Sequence, residues 1–276
     1  NGKKISIVRA HLEEDAGKTI HTLEGNALID YNRCGAPLLE IVSAPDISSP
    51  EEALNYLKSL KEIITSTEAS DCDMEKGNLR VDLNVSIMKK GSSELGIRRE
   101  VKNLNSFRSI NKAIKYEIQE QARIIESGSI IKQSTMIWNE IENKAKVIRE
   151  KEDAHDYRYF PEPDLAPLSI SDSNINKILK NMPELPDELA LRLKEKHHLD
   201  DRDVSFLISN KNIANYYEET LTYIDNPILV LNWLKVDIMK IINRDKIKIK
   251  NFTITPLRLS QILILLKENK ITKENA

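Results

Sequence analysis

The chain has 276 residues, 40% of them hydrophobic and 30% charged, and a formal net charge of -2 at pH 7. That is enough apolar material for one large core or two ordinary ones, while the near-neutral balance excludes a global pull on nucleic acid, so that any RNA contact has to be local. No apolar run is long enough to span a bilayer and there is no signal-peptide pattern; the two cysteines, Cys34 and Cys72, form no paired spacing, which argues against a disulfide framework or a zinc knuckle and suits a reducing cytoplasm.

The chain opens at Asn1, not Met, directly in a strand pattern, as a fragment of a longer protein would. Alternation places Ile5, Ile7, Arg9, His11 and Glu13 on one face and Val8, Ala10 and Leu12 on the other. The strand runs into Glu13, Glu14 and Asp15, then a glycine turn and Lys18. Three adjacent carboxylates repel one another; Mg²⁺ with a phosphate behind it would hold them together, since it is a hard cation that takes oxygen ligands. A solvated acidic turn is the competing explanation. Gly17-Lys18-Thr19 imitates the end of a P-loop, but Leu12 stands where the first glycine is required.

Strands are expected at residues 27–32 and 37–42, the second with Glu40 inside an apolar run. A carboxylate there has to be paired, hydrogen-bonded or liganding a metal, or else point into water off an open sheet face. Ser49-Pro50-Glu51-Glu52 opens a helix, with Ser49 as N-cap, Pro50 at the first position and Glu52 completing a capping box.

Residues 79–88 give the cleanest strand pattern, Leu79, Val81, Leu83, Val85 and Ile87 alternating with Arg80, Asp82, Asn84, Ser86 and Met88. Its polar face is either solvated or the floor of a polar substrate site. Residues 96–104 read as its hairpin partner, carrying Glu100, Lys102 and Asn103. A helix follows to about Ser127, capped by Asn105 or Ser106, with Phe107, Ile110, Ala113, Ile114, Ile118, Ala122 and Ile125 as its buried stripe. Short strands are expected at 134–139 and 144–149, then an aromatic, proline-broken loop from His155 to Asp164 that presents Asp156 and Arg158.

Past Asn181 strand patterning nearly vanishes, and helices are expected at 187–196, 200–209, 213–223, 228–243 and 256–269, with one doubtful strand at 248–254. The division predicted is therefore residues 1–181, α+β, and residues 182–276, all α. Lys235, Lys240, Arg244, Lys246, Lys248 and Lys250 form a basic stretch suited either to RNA phosphates or to a solvated helix face. His197-His198 has no metal-ligand spacing and reads as surface.

Five segments together resemble the B subunits of the tRNA-dependent amidotransferases, the GatB/GatE family: 11–18 (HLEEDAGK), 30–42 (DYNRCGAPLLEIV), 74–82 (MEKGNLRVD), 102–107 (KNLNSF) and 154–164 (AHDYRYFPEPD). The likeness covers essentially the whole chain, with Pro183-Glu184-Leu185-Pro186 included. It departs where the family commonly has Asn-Met-Glu-Glu-Gly-Ser and this chain has Asp73-Met74-Glu75-Lys76-Gly77-Asn78; Lys76 in place of a carboxylate tells against a metal role for that turn. A leading segment that in the family contributes to the Mg²⁺ and nucleotide site, and a C-terminal tail domain that grips the tRNA body, are expected to lie outside this chain.

The resemblance implies an antiparallel-sheet cradle similar to the glutamine synthetase core, followed by the helical domain. It implies a carbon–nitrogen ligase with glutamine as amido donor, working in the cytoplasm with the amidase (A) and small (C) subunits of a heterotrimer. ATP would phosphorylate the side-chain carboxylate of Glu-tRNA(Gln) or Asp-tRNA(Asn), and ammonia from glutamine would displace the phosphate. By matching position Glu14, Glu40 and His11 are the metal candidates, Glu13, Glu14, Lys18 and Glu40 the catalytic ones, and Arg80, Asp82, Asn84, Lys102 and Asn103 those for nucleotide or substrate. The alternatives are a non-catalytic tRNA-docking scaffold of the same complex and a free-standing glutamine synthetase-like ligase. Residues 1–276 alone are expected to be inactive.

Overall fold

A computed structural model describes residues 2–22, 24–150 and 169–275. The expected aromatic loop from His155 to Asp164 lies outside the described residues. The chain is mixed α+β, and its β-structure is divided among three sheets.

Strand β1 (Ile7–Glu14) pairs antiparallel with β4 (Pro37–Ser43) as a two-stranded ribbon, and β2 (Lys18–His21) pairs with β3 (Ala27–Asp30) as a second. The register of the first ribbon slips between Ile7 and Arg9, so the alternation expected from Ile5 onward holds only from Arg9. A β-bulge of this kind leaves one residue unpaired and re-aims everything before it.

Helix α1 (Pro50–Ser66) starts as its punctuation demands, Ser49 Oγ accepting from the Glu52 backbone N–H at 3.1 Å. The return bond differs from a strict capping box: Glu52 accepts from the backbone N–H of Ser48 at 2.7 Å, not from that of Ser49. Next come β5 (Leu83–Val85), β6 (Arg99–Lys102), helix α2 (Phe107–Glu126), β7 (Ser134–Asn139) and β8 (Lys144–Glu150), the strands forming one sheet in the order β5-β6-β7-β8. Here an all-antiparallel expectation is corrected. β6 and β7 are parallel, because α2 connects them as a crossover, and only the outer pairs are antiparallel.

The strand expected over residues 79–88 shrinks to three residues, since only Leu83–Val85 find a ladder partner. Farther along, the Ile87 carbonyl lies so near Gly96 that an added Cβ would come within 2.1 Å of it, which only glycine permits. Val101, Leu104, Met136 and Trp138 pack under α1 and α2 against Ala53, Leu57, Ile110, Ala113 and Ile114. The inner stripe of α2 then continues through Glu117 and Gln121, not through Ile118 and Ile125, which are 38% and 44% exposed. Positions 110, 114, 117 and 121 follow one helical track; 118 and 125 fall a step beside it.

The rest is helical: α3 (Asp172–Asn181), α4 (Pro186–His197), α5 (Asp201–Ile208), α6 (Lys211–Leu221), α7 (Pro227–Trp233), a π-turn (Leu234–Ile238), α8 (Met239–Asp245) and α9 (Pro256–Lys267). The doubtful strand at 248–254 is replaced by a 3₁₀ turn, Ile249–Asn251. The uninterrupted helix expected at 228–243 carries the π-turn because its inward residues Leu234, Ile238 and Ile242 are spaced by four. In a regular helix each such step drifts about 40° around the axis, and one widened turn absorbs the drift. A second core gathers Leu193, Leu207, Tyr217, Leu231, Leu234, Leu259 and Leu263. His197 is not simply surface: its ring stands edge-on to Tyr217, centroids 5.6 Å apart. No described helix is long and apolar enough to cross a membrane.

Candidate functional site

The candidate residues fall in three adjoining places. The first is one face of the β1–β4 ribbon. His11 is directly opposite Glu40, and alternation brings Arg9 and Glu13 to the same side. One ligand atom each from His11, Glu13 and Glu40 lies within 4.8 Å of the others. His11 Nδ1 is 3.3 Å from Glu13 Oε1, and Arg9 Nη2 donates to Glu40 Oε2 at 2.9 Å. Glu14 is not brought into this group. As the next residue along β1 it faces the other way, opposite Pro37. Arg9, which sequence reasoning placed on this face without giving it a role, is the nearest cation to Glu40.

Two oxygens on one Mg²⁺ are at most about 4.2 Å apart, since each sits near 2.1 Å from the ion. The His11–Glu13–Glu40 group therefore fits a divalent cation after a small inward rotation of the side chains. Two carboxylates and an imidazole suit Mn²⁺ as well as Mg²⁺.

The second place is a knot at the end of β1. Asp15 accepts from Arg33 Nε and from Arg80 Nη2, each at 3.1 Å, and is the most buried member of the trio. Arg33 also donates to the Gly77 carbonyl at 3.2 Å, where Gly77 has φ of 72° and a Cβ would meet the guanidinium at 2.7 Å. Arg80, a candidate for nucleotide or substrate, is bonded to Asp15. Beside it, Lys76 Nζ lies 3.1 Å from Asp73 and 3.6 Å from Asp71. Its hydrogen bond holds the Asp73 carboxyl below the usual range, and Asn78 does the same for Asp71. This turn neutralises its own carboxylates.

The third place is the polar face of the four-stranded sheet. Asn84 pairs across to Glu100, and Glu100 pairs with Thr135 on β7, whose Oγ1 donates to it at 2.8 Å. Lys102 Nζ donates to Asp82 at 2.8 Å and lies 3.4 Å from Glu100. Burial pulls the Lys102 ammonium down, but the Asp82 hydrogen bond and the charges of Asp82 and Glu100 outweigh it and hold the group above its ordinary value. Lys102 is a fixed cation flanked by two acids. Asn103 leaves the floor: with φ of 66° it ends the strand, and its Nδ2 donates to the Trp138 carbonyl at 3.1 Å. Glu100 was missed as a candidate, although it shares the parity of Lys102.

The Asp15–Arg80 bond puts the end of the ribbon beside the segment that enters the floor, two residues before Asp82. Lys18 begins β2, across from Asp30. Of the basic stretch in the helical part, Lys235 is paired with Asp203 and Arg244 with Asp245.

Residues 1–176 match the GatB/GatE catalytic domain and residues 215–276 match the GatB domain. The chain is 45% identical over 270 residues to the B subunit of the aspartyl/glutamyl-tRNA(Asn/Gln) amidotransferase of Thermoanaerobacter sp. (strain X514), covering 98% of this chain and 57% of that protein. Against the protein of the same name from Caldicellulosiruptor bescii identity is 46% over 274 residues, with 98% and 57% covered. For Thermodesulfovibrio yellowstonii it is 42% over 274 residues, with 99% and 58% covered. The chain spans just over half the length of these curated relatives.

Proposed function

This chain belongs to the GatB/GatE family, and from that premise we propose that it is the transamidating part of an ATP-dependent, glutamine-using amidotransferase acting on misacylated tRNA. The observation that carries the reading is the convergence of His11, Glu13 and Glu40 on one ribbon face. The substrates are Glu-tRNA(Gln) or Asp-tRNA(Asn), and the partners are the amidase (A) and small (C) subunits of the complex; the relatives' names supply the substrate class and the place of a B subunit in an assembly.

In this reading a divalent ion would supply neutralisation of phosphate charge when bound. His11, Glu13 and Glu40 would hold it, and Arg9 keeps Glu40 in place. Glu14 and Lys18 flank the acidic turn on the nucleotide side. Lys102, fixed as a cation by Asp82 and Glu100, and Asn84 receive the aminoacyl group on the floor. Asn103 and Arg80 hold that floor in register. The side-chain carboxylate attacks the γ-phosphorus and ADP leaves. Ammonia then attacks the acyl carbon, inorganic phosphate leaves, and the new amide nitrogen loses a proton. The comparison with the glutamine synthetase core, the cytoplasmic location and the division at residue 181 belong to the same proposal.

The test is Glu13→Gln and Glu40→Gln in the full-length protein within its assembled complex. ATP-dependent amidation is expected to be lost while tRNA binding survives; near-normal amidation in both variants would favour the scaffold reading. Turnover of ATP with free glutamate in place of Glu-tRNA would favour the free-standing ligase.

A further inference from the structure

Behind the polar floor the same sheet meets α2 through a buried polar knot. Glu117 and Gln121 are 0% exposed and Arg99 is 8% exposed. Gln121 lies one helical turn past Glu117, and its Nε2 donates to Glu117 Oε2 at 3.1 Å and to the Val85 carbonyl at 2.9 Å. Arg99 Nε donates to Ser134 Oγ at 3.3 Å, while Nη1 stands 3.5 Å from Glu117 Oε2 without the alignment of a hydrogen bond. Three buried atoms in this knot have no hydrogen-bond partner: Arg99 Nη1, Glu117 Oε1 and Gln121 Oε1.

The amide orientation is fixed by its surroundings. Turning Gln121 over would set its oxygen against both the Val85 carbonyl and the Glu117 carboxylate. The three atoms belong to side chains that meet at Glu117. Glu117 Oε1 shares its carbon with the oxygen that faces both Arg99 and Gln121, and Gln121 Oε1 shares its carbon with the nitrogen bonded to Glu117. What remains unsatisfied is one donor and two acceptors.

We propose that this knot is a binding site for a single internal water, which donates to Glu117 Oε1 and Gln121 Oε1 and accepts from Arg99 Nη1. Water is the small ligand whose two donors and lone pairs complement that set, and buried waters characteristically make about three such bonds. A cation would be repelled by the guanidinium and an anion by the carboxylate, while an apolar filling would leave all three groups unsatisfied. Burial pushes the Glu117 carboxyl up, and the Gln121 hydrogen bond and the Arg99 charge oppose this. The water gives Arg99 Nη1 and Glu117 Oε1 one hydrogen-bond partner each. It closes a ring through β5, β6 and α2, the elements that carry Asn84, Glu100 and Lys102 on their other side.

The test is a crystal structure of the full-length protein that resolves ordered waters, together with water-to-amide cross-relaxation at the Gln121 side chain in solution. One density peak within hydrogen-bonding distance of all three atoms, and a slowly exchanging water signal at Gln121, are the expected results. The proposal is overturned if no peak is present. It is overturned equally if a protonated Glu117 donates directly to Gln121, if Arg99 Nη1 bonds Glu117 Oε1 directly, or if a file of waters connects the knot to bulk solvent.

Discussion

Asp15 and Arg80 are 65 residues apart in the chain and meet at 3.1 Å. Their contact fastens the ribbon to the entrance of the polar sheet, with Arg33 bonded to the same carboxylate oxygen. Asp15→Ala should therefore remove a partner from two arginines at once, leaving Arg33 its bond to the Gly77 carbonyl. Because both guanidiniums are substantially exposed, the cost in stability is expected to be only about 1 kcal/mol. Faster amide exchange should appear at residues 77–82 ahead of the rest of the domain. Exchange unchanged there would mean that the knot contributes nothing to the floor's position.

Divalent-ion binding separates the ribbon's two faces. In the full-length protein, Mn²⁺ titration followed by paramagnetic resonance should show Glu13→Gln and Glu40→Gln weakening binding on the order of tenfold or more. Glu14→Gln should stay within a factor of about two, since Glu14 points away from the cluster. Equal losses for all three would place the ion at the turn, not on the ribbon face.

The pH dependence of α1 has a definite sign. Glu52 is held down to about 2 by the Lys3 ammonium and the Ser48 backbone N–H, against an ordinary value of 4.5. A depressed carboxyl stabilises the fold above its unfolded pKa and loses that contribution as pH falls toward the folded one. The stability difference between wild type and Glu52→Gln should thus be full above pH 4.5 and shrink toward pH 2. Carbon-13 titration of the Glu52 side chain checks the midpoint directly.

Leu263, at 0% exposure in α9, anchors the second core. Leu263→Ala is expected to cost about 2–5 kcal/mol through lost burial and a residual cavity. Thermal unfolding monitored by the fluorescence of Trp233, which lies in that core, should report it.

What the sequence makes legible is local. Ser49-Pro50 starts a helix wherever it occurs in such a setting, and the i, i+3, i+4 apolar spacing of α2 is visible without coordinates up to Ile114. Glu117 and Gln121 then continue the inward track with polar groups, which a search for apolar residues passes over in favour of Ile118 and Ile125. The same limit applies at the ribbon. The run Glu13, Glu14, Asp15 reads as one acidic turn, whereas strand alternation separates Glu14 from Glu13, and Glu40 reaches His11 only through a register set far along the chain. The parallel pairing of β6 with β7 and the ties from Asp15 to Arg33 and Arg80 are non-local, and no window of residues contains both partners.

The π-turn at Leu234–Ile238 also bears on how this chain tolerates change in length. Dropping one residue from an ordinary helix swings all that follows by roughly 100°. Here a surplus residue is already stored, so losing one of Lys235, Val236 or Asp237 would bring the Leu234-to-Ile238 step down to three positions and leave Ile242 aimed as before. That stretch is where α7 and α8 can be shortened without turning their packed side outward.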